Sequence, residues 1–165
     1  MATVAPQDLA YAEHAPVIVE QRAIVAGTPE EVWAVLLDYP GWTRWFPKVL
    51  TCQATSDPAT GVGSTRVVTL PGKAEVVERF IAWDEPKVWA FTATEVPPVF
   101  AALVERVTIE PVDDVHSEVA YRMAIGPKPV LAPLFKLVRR QFASNLATAL
   151  RNLDGELARR RTEAG

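Results

Sequence analysis

Residues 130–161 read VLAPLFKLVRRQFASNLATALRNLDGELARRR. Leu131, Leu134, Phe135, Val138, Phe142, Leu146, Ala149, Leu150, Leu153 and Leu157 recur at steps of three and four, which places them along one stripe of an α-helix. A helix of about 30 residues is about 45 Å long, enough to cross a small domain. No second long amphipathic segment exists to receive the stripe, so the preceding chain must supply the surface it packs on. Pro127, Pro129 and Pro133 mark the entry, where a missing N–H costs least, and Arg159, Arg160 and Arg161 suit the negative end of the helix dipole. Asn145 interrupts the stripe between Phe142 and Ala149. It is either an amide at the stripe's edge near water or one that faces a ligand.

Upstream, VIVEQRAIVAG from Val17 mixes β-branched and polar residues as a half-covered strand does and stops at Gly27. Thr28, Pro29 and Glu31 supply an N-cap, a first-turn proline and a first-turn acid, opening a helix to Asp38 whose apolar face is Val32, Trp33, Leu36 and Leu37. Pro40 and Gly41 break it, and Trp42 to Phe46 form a second short helix that Pro47 ends. Six strand-like segments follow, 49–54, 63–70, 74–83, 88–94, 103–109 and 119–125, separated mostly by short turn sequences that suit hairpins. The interruption 95–101, with two prolines, is expected to bend over the sheet.

This order predicts an α+β fold: a curved seven-stranded antiparallel sheet wrapped around a long C-terminal helix, with two short helices after the first strand. A curved sheet cannot lie flat along a long helix, so a cavity is expected between them. Residues 1–15 lack periodicity and read as a flexible N-terminal arm with room for one helical turn around Asp8 to Glu13, and 16–161 as a single domain.

The 165-residue chain has a net charge of -3 and no basic run that would grip phosphates, which argues against a nucleic-acid partner. Its one cysteine, Cys52, excludes an internal disulfide. The absence of a long apolar run argues against an integral membrane segment, and residues 1–15 lack the pattern of a signal peptide, so a cytoplasmic location is expected. Oligomeric state is not legible.

Nucleophilic catalysis needs a base beside the nucleophile, and metal sites need clustered ligands. His14, His116, Cys52 and the Asp113–Asp114 pair make no such cluster in sequence, so neither catalytic residues, a metal nor a cofactor is assigned. The charged residues inside strands are Arg66, Glu75, Glu78, Arg79, Glu105, Arg106, Glu118 and Arg122, most of them expected to point outward. Alternation puts Trp89 with Phe91 on one face, and Val119, Tyr121, Met123 and Ile125 on another, turning Glu118 and Arg122 out. Arg66 and Glu78 are the polar candidates for the interior, because the Pro71-Gly72 turn joins their strands and a buried charge needs a partner. A two-residue loop would set Arg66 opposite Val77; a three-residue loop would set it opposite Glu78.

The stretch APVIVEQRAIVAGTPEEVWAVLLDYPGWTRWFPKV resembles the N-terminal signature of the polyketide cyclase/dehydrase-like group of the START/Bet v 1 (SRPBCC) superfamily. GVGSTRVVTLPGKAEVVERFIAWDEPKVWAFTAT is similar to that group's second block, a Gly-x-Gly strand, a hairpin, and a Glu-bearing strand ending in Trp-Asp-x-Pro. The resemblance runs from Val17 to about Leu157 and implies the helix-grip fold with a deep hydrophobic pocket. Its members include lipid carriers, hormone receptors, quinone-binding proteins and aromatic polyketide cyclases, so fold alone does not select the function.

The main expectation is a binder of a small hydrophobic molecule, a lipid, isoprenoid quinone or polyketide-like aromatic. Its ligand-binding residues would be Trp45, Phe46, Arg66, Glu78, Trp89, Phe91, Tyr121, Phe135, Val138, Phe142 and Asn145. A cyclase or dehydratase is the alternative, with Arg66, Tyr121 and Asn145 orienting a carbonyl and Glu78 moving a proton. A protein-interaction module is the third reading. Trp42, Trp45 and Phe46, with 131–135 and the Pro97–Phe100 loop, are expected either to frame the entrance or to be ordinary core beneath the sheet.

Overall fold

A computed structural model describes residues Met1–Ala164. Its elements are β1 (Ala2–Thr3), α1 (Tyr11–His14), β2 (Val17–Val25), α2 (Pro29–Leu37), a 3₁₀ turn (Tyr39–Gly41), α3 (Trp42–Trp45), β3 (Thr51–Ala54), β4 (Thr65–Leu70), a 3₁₀ turn (Pro71–Lys73), β5 (Ala74–Asp84), β6 (Val88–Val96), β7 (Phe100–Pro111), β8 (Ser117–Pro127), a 3₁₀ turn (Pro129–Leu131) and α4 (Ala132–Ala164). Seven strands pair antiparallel in the order β2-β8-β7-β6-β5-β4-β3, and short β1 adds to β6. The helix-grip architecture is therefore present, with α4 packed chiefly on β2 and against α2 and α3.

Local chemistry explains the joints. Thr28 Oγ1 accepts from the Glu31 N–H at 3.3 Å and Glu31 Oε2 accepts from the Thr28 N–H at 2.8 Å, a reciprocal cap that starts α2. The same Glu31 binds Arg161 at 2.7 Å. Arg159 and Arg160 in turn pair with Glu156, and Arg160 with Asp38. These arginines thus tie the end of α4 to its own last turns and to the α2 region, a tertiary role that the dipole argument missed.

The helix stripe holds for Phe135, Leu146, Ala149, Leu150, Leu153 and Leu157, all buried, whereas Leu134 is 50% exposed. Proline-rich residues 95–101 do not arch over the sheet: β6 runs to Val96, a tight turn closes with the Phe100 N–H on the Pro97 carbonyl at 3.1 Å, and β7 begins at Phe100. Residues 1–15, expected to be a loose arm, pack instead on the sheet. Val4 donates to the Thr94 carbonyl at 2.9 Å, Ala12 is fully buried, and a Cβ on Gly126 would stand 2.4 Å from the Tyr11 hydroxyl, so the strand's glycine makes room for the arm. Among the described residues no helix is long and apolar enough to cross a membrane.

Candidate functional site

The Pro71–Lys73 turn decides the hairpin register. Gly72 at φ 76° and Lys73 at φ 60° take left-handed conformations, and the three-residue connection pairs Leu70 with Ala74 and Arg66 with Glu78. Arg66 is fully buried and Glu78 nearly so, with Arg66 Nε 2.5 Å from Glu78 Oε2. The guanidinium carbon lies 4.0 Å from the Trp42 ring centroid and 4.7 Å from that of Trp89, with Tyr39, Phe80 and Phe91 within 5.6 Å. Nη1 and Nη2 of Arg66 have no hydrogen-bond partner. The positive charge is therefore held by one carboxylate and by the negative faces of surrounding rings. Burial works against the charge on Arg66, but Glu78, together with Cys52 and Tyr121, keeps the guanidinium above its ordinary pKa. Burial likewise pushes the Glu78 carboxyl up, with Arg66 offsetting part of the rise.

Above this pair lies a cavity of about 130 Å³. Trp42, Phe46, Val49, Val68, Leu70, Val76, Phe100, Leu103, Met123 and Phe142 form its apolar wall, and Glu78 and Glu105 are the two titratable side chains on it. Glu105 is buried, and Tyr121, also buried, donates its hydroxyl to Glu105 Oε2. Burial pushes the Glu105 carboxyl up to about 8, and the neighbouring Glu78 charge adds to the rise; the Tyr121 bond and Arg66 oppose it. The same burial and the adjacent Glu105 hold the Tyr121 phenol well above its ordinary range. Near pH 7 the cavity wall therefore offers a protonated carboxyl, a donor as well as an acceptor, beside a charge-compensated pair.

Glu105 was expected to point outward with most strand charges. Its position in β7 shows why it does not: Leu103, Glu105, Val107 and Ile109 alternate onto one face, and Glu105 stands opposite Met123 of β8. That alternation was legible in LVERVTI, and the carboxylate masked it.

Of the expected site residues, Phe46, Glu78 and Phe142 reach the cavity wall. Arg66, Trp89 and Phe91 lie beneath it as charge and cage, and Tyr121 acts through Glu105. Phe135 is one layer back, in edge contact with Phe100 at 5.4 Å and stacked on Phe142 at 6.0 Å. Val138 is half-buried and does not line the cavity. Asn145 does not either: its Oδ1 accepts from Gln141 Nε2 at 3.1 Å along the helix, the edge position rather than the ligand-facing one. Trp45 is also displaced from the expected entrance. It is 1% exposed and packed on Trp42 and Phe46, while its carbonyl accepts from Asn152 at 3.0 Å, so it belongs to the core that anchors α3 to α4.

The family model described as polyketide cyclase / dehydrase and lipid transport matches residues 16–158. An uncharacterized protein of Mycobacterium tuberculosis is 29% identical over 145 residues, spanning 84% of this chain and 87% of that protein. Among solved structures, the Zhui aromatase/cyclase from Streptomyces sp. R1128 superposes with a TM-score of 0.73 at 21% identity, over 90% of this chain and 97% of that one. A START superfamily protein from Mycobacterium smegmatis superposes with a TM-score of 0.71 at 16% identity, over 87% of this chain and 98% of that one. At such identities the structural likeness speaks for the fold alone. The family match spans most of the chain, and the chain belongs to the polyketide cyclase / dehydrase and lipid transport family.

Proposed function

We propose that this protein binds a small, predominantly apolar molecule bearing one carbonyl or hydroxyl oxygen in the cavity between the sheet and α4. The observation that carries the reading is the composition of the wall: ten apolar side chains and two buried carboxyl groups. An apolar body gains from leaving water for such a wall, and its oxygen must meet a partner there or pay for desolvation. Protonated Glu105 can donate to that oxygen while Tyr121 holds its other oxygen. A charged ligand fits less well, because Arg66 already has Glu78 as its counterion. Native mass spectrometry of freshly purified protein tests this. A copurified neutral apolar molecule, lost when Val76→Trp fills the cavity, supports it; a charged ligand or one retained in the filled variant contradicts it.

Glu105 also favours a second reading, acid–base chemistry of the cyclase or dehydratase type. A carboxyl with a pKa of about 8 is poised to give and take a proton near neutrality, and it touches the cavity where a bound carbonyl compound would sit. In this reading Glu105→Gln binds the ligand unchanged but does not convert it.

A further inference from the structure

Every one of the twenty acidic residues lies outside the stretch 119–153, which carries Arg122, Lys128, Lys136, Arg139, Arg140 and Arg151 in a chain of net charge -3. The middle of that stretch also holds the most exposed aliphatic side chains of α4 and its approach. Val130 is 83% exposed, Leu137 78% and Leu134 50%, at steps of four and three that set them on one side of the helix entry. Val99, 40% exposed, sits beside them, because its carbonyl accepts from the Lys128 N–H at 3.1 Å. Lys136, Arg139 and Arg140 are exposed on the same segment; Arg139 gives Nε to the Ile18 carbonyl at 3.0 Å and keeps its charge at the surface.

We propose that this face, the Val99 turn with residues 128–140, docks on a lipid bilayer containing anionic headgroups. Aliphatic side chains with cations and no acid among them match acyl chains beneath a phosphate layer. The patch also adjoins the cavity. Phe135, next to exposed Leu134, packs on Phe100 and Phe142, both of which are cavity wall. A docked protein would hold that aromatic rim against the bilayer, so an apolar molecule would pass between membrane and cavity without crossing water. Docking goes beyond the ligand-binding reading and can fail independently of it.

Co-sedimentation of the full chain with vesicles of equal parts phosphatidylcholine and phosphatidylglycerol, against pure phosphatidylcholine, tests the proposal. Expected are binding to the anionic vesicles that weakens with salt, a loss of about fivefold for Lys136→Ala or Arg140→Ala, and abolition in Leu134→Asp/Leu137→Asp. These positions are exposed, so unchanged thermal unfolding certifies the variants as folded. Absence of vesicle binding overturns the proposal, as does binding that the variants leave intact. Sedimentation equilibrium supplies the other arm: a dimer that Leu137→Asp dissociates makes the patch a self-interface and also overturns it. Native mass spectrometry of Leu134→Asp/Leu137→Asp keeps the two claims apart, since the cavity ligand should survive the loss of docking.

Discussion

Arg66 and Glu78 face each other across β4 and β5, Nε 2.5 Å from Oε2, with Arg66 closed to water and Glu78 nearly so. Removing one partner strands the other's charge in a low-dielectric interior, a loss that costs about 3–5 kcal/mol. Arg66→Met should therefore destabilise the fold by about that amount, whereas Arg66→Met with Glu78→Leu should recover most of it. Urea denaturation of the two single variants and the double variant checks this. A double variant as unstable as Arg66→Met would show that the aromatic cage, rather than Glu78, is what the arginine serves.

Glu105 makes stability depend on pH in an unusual direction. In the unfolded chain a glutamate ionises near about 4.3, whereas in the fold burial keeps Glu105 protonated up to about 8. Between these values the folded state holds the extra proton, so stability from this group is greatest at low pH, declines as pH rises and levels off above the folded value. The steepest slope is about 1.4 kcal/mol per pH unit. Glu105→Gln should flatten the profile across pH 5–8 and be the more stable protein at its alkaline end. Denaturation at several pH values reads this directly; a wild-type profile without that decline would place an ionised Glu105 in the fold.

Glu156 works the other way. It is buried at the end of α4 between Arg44, Arg159 and Arg160, and hydrogen bonds from Arg159 first, then from Arg44 and Arg160, hold its carboxyl well below the usual range against the opposing effect of burial. Its contribution is present above the unfolded pKa and is lost as pH falls through the folded one. Glu156→Gln should cost about 2 kcal/mol at neutral pH, the scale of hydrogen bonds to charged groups. The same substitution should cost little in strong acid, and thermal melts at the two pH values check the difference.

How much of this the residues disclose depends on the kind of evidence each position carries. The long helix, the capped α2 and the strand order rest on periodicity and local chemistry, which act within a few residues and so survive in the sequence. The Arg66–Glu78 pairing hinged on one loop length, and two registers remained open until the left-handed Gly72 and Lys73 were seen. Glu105 was hidden because a carboxylate in a strand normally faces water, although its apolar neighbours at alternate positions pointed inward. Trp45 and Asn145 each kept two readings open for a different reason. Angular position on a helix does not say whether the partner surface is cavity, core or solvent, and only the tertiary packing of α3 on α4 decides that.

Tryptophan fluorescence separates the two indoles of α3. Trp42 lines the cavity, and its Nε1 donates to the Leu36 carbonyl at 2.9 Å, whereas Trp45 sits behind it. An apolar ligand should shift or quench emission in the wild type and in Trp45→Phe, and most of that change should vanish in Trp42→Phe. The reverse pattern would move the site to the far side of α3.

On this reading the cavity takes a neutral apolar molecule with one oxygen near Glu105. Calorimetric titration with 2-acetylnaphthalene, set against naphthalene, tests it most directly. The ketone should bind the wild type more tightly than the hydrocarbon, the preference should shrink above pH 8 as Glu105 loses its proton, and neither compound should bind Val76→Trp. Equal affinities for the two compounds at every pH, or binding that survives in the filled variant, would contradict the account.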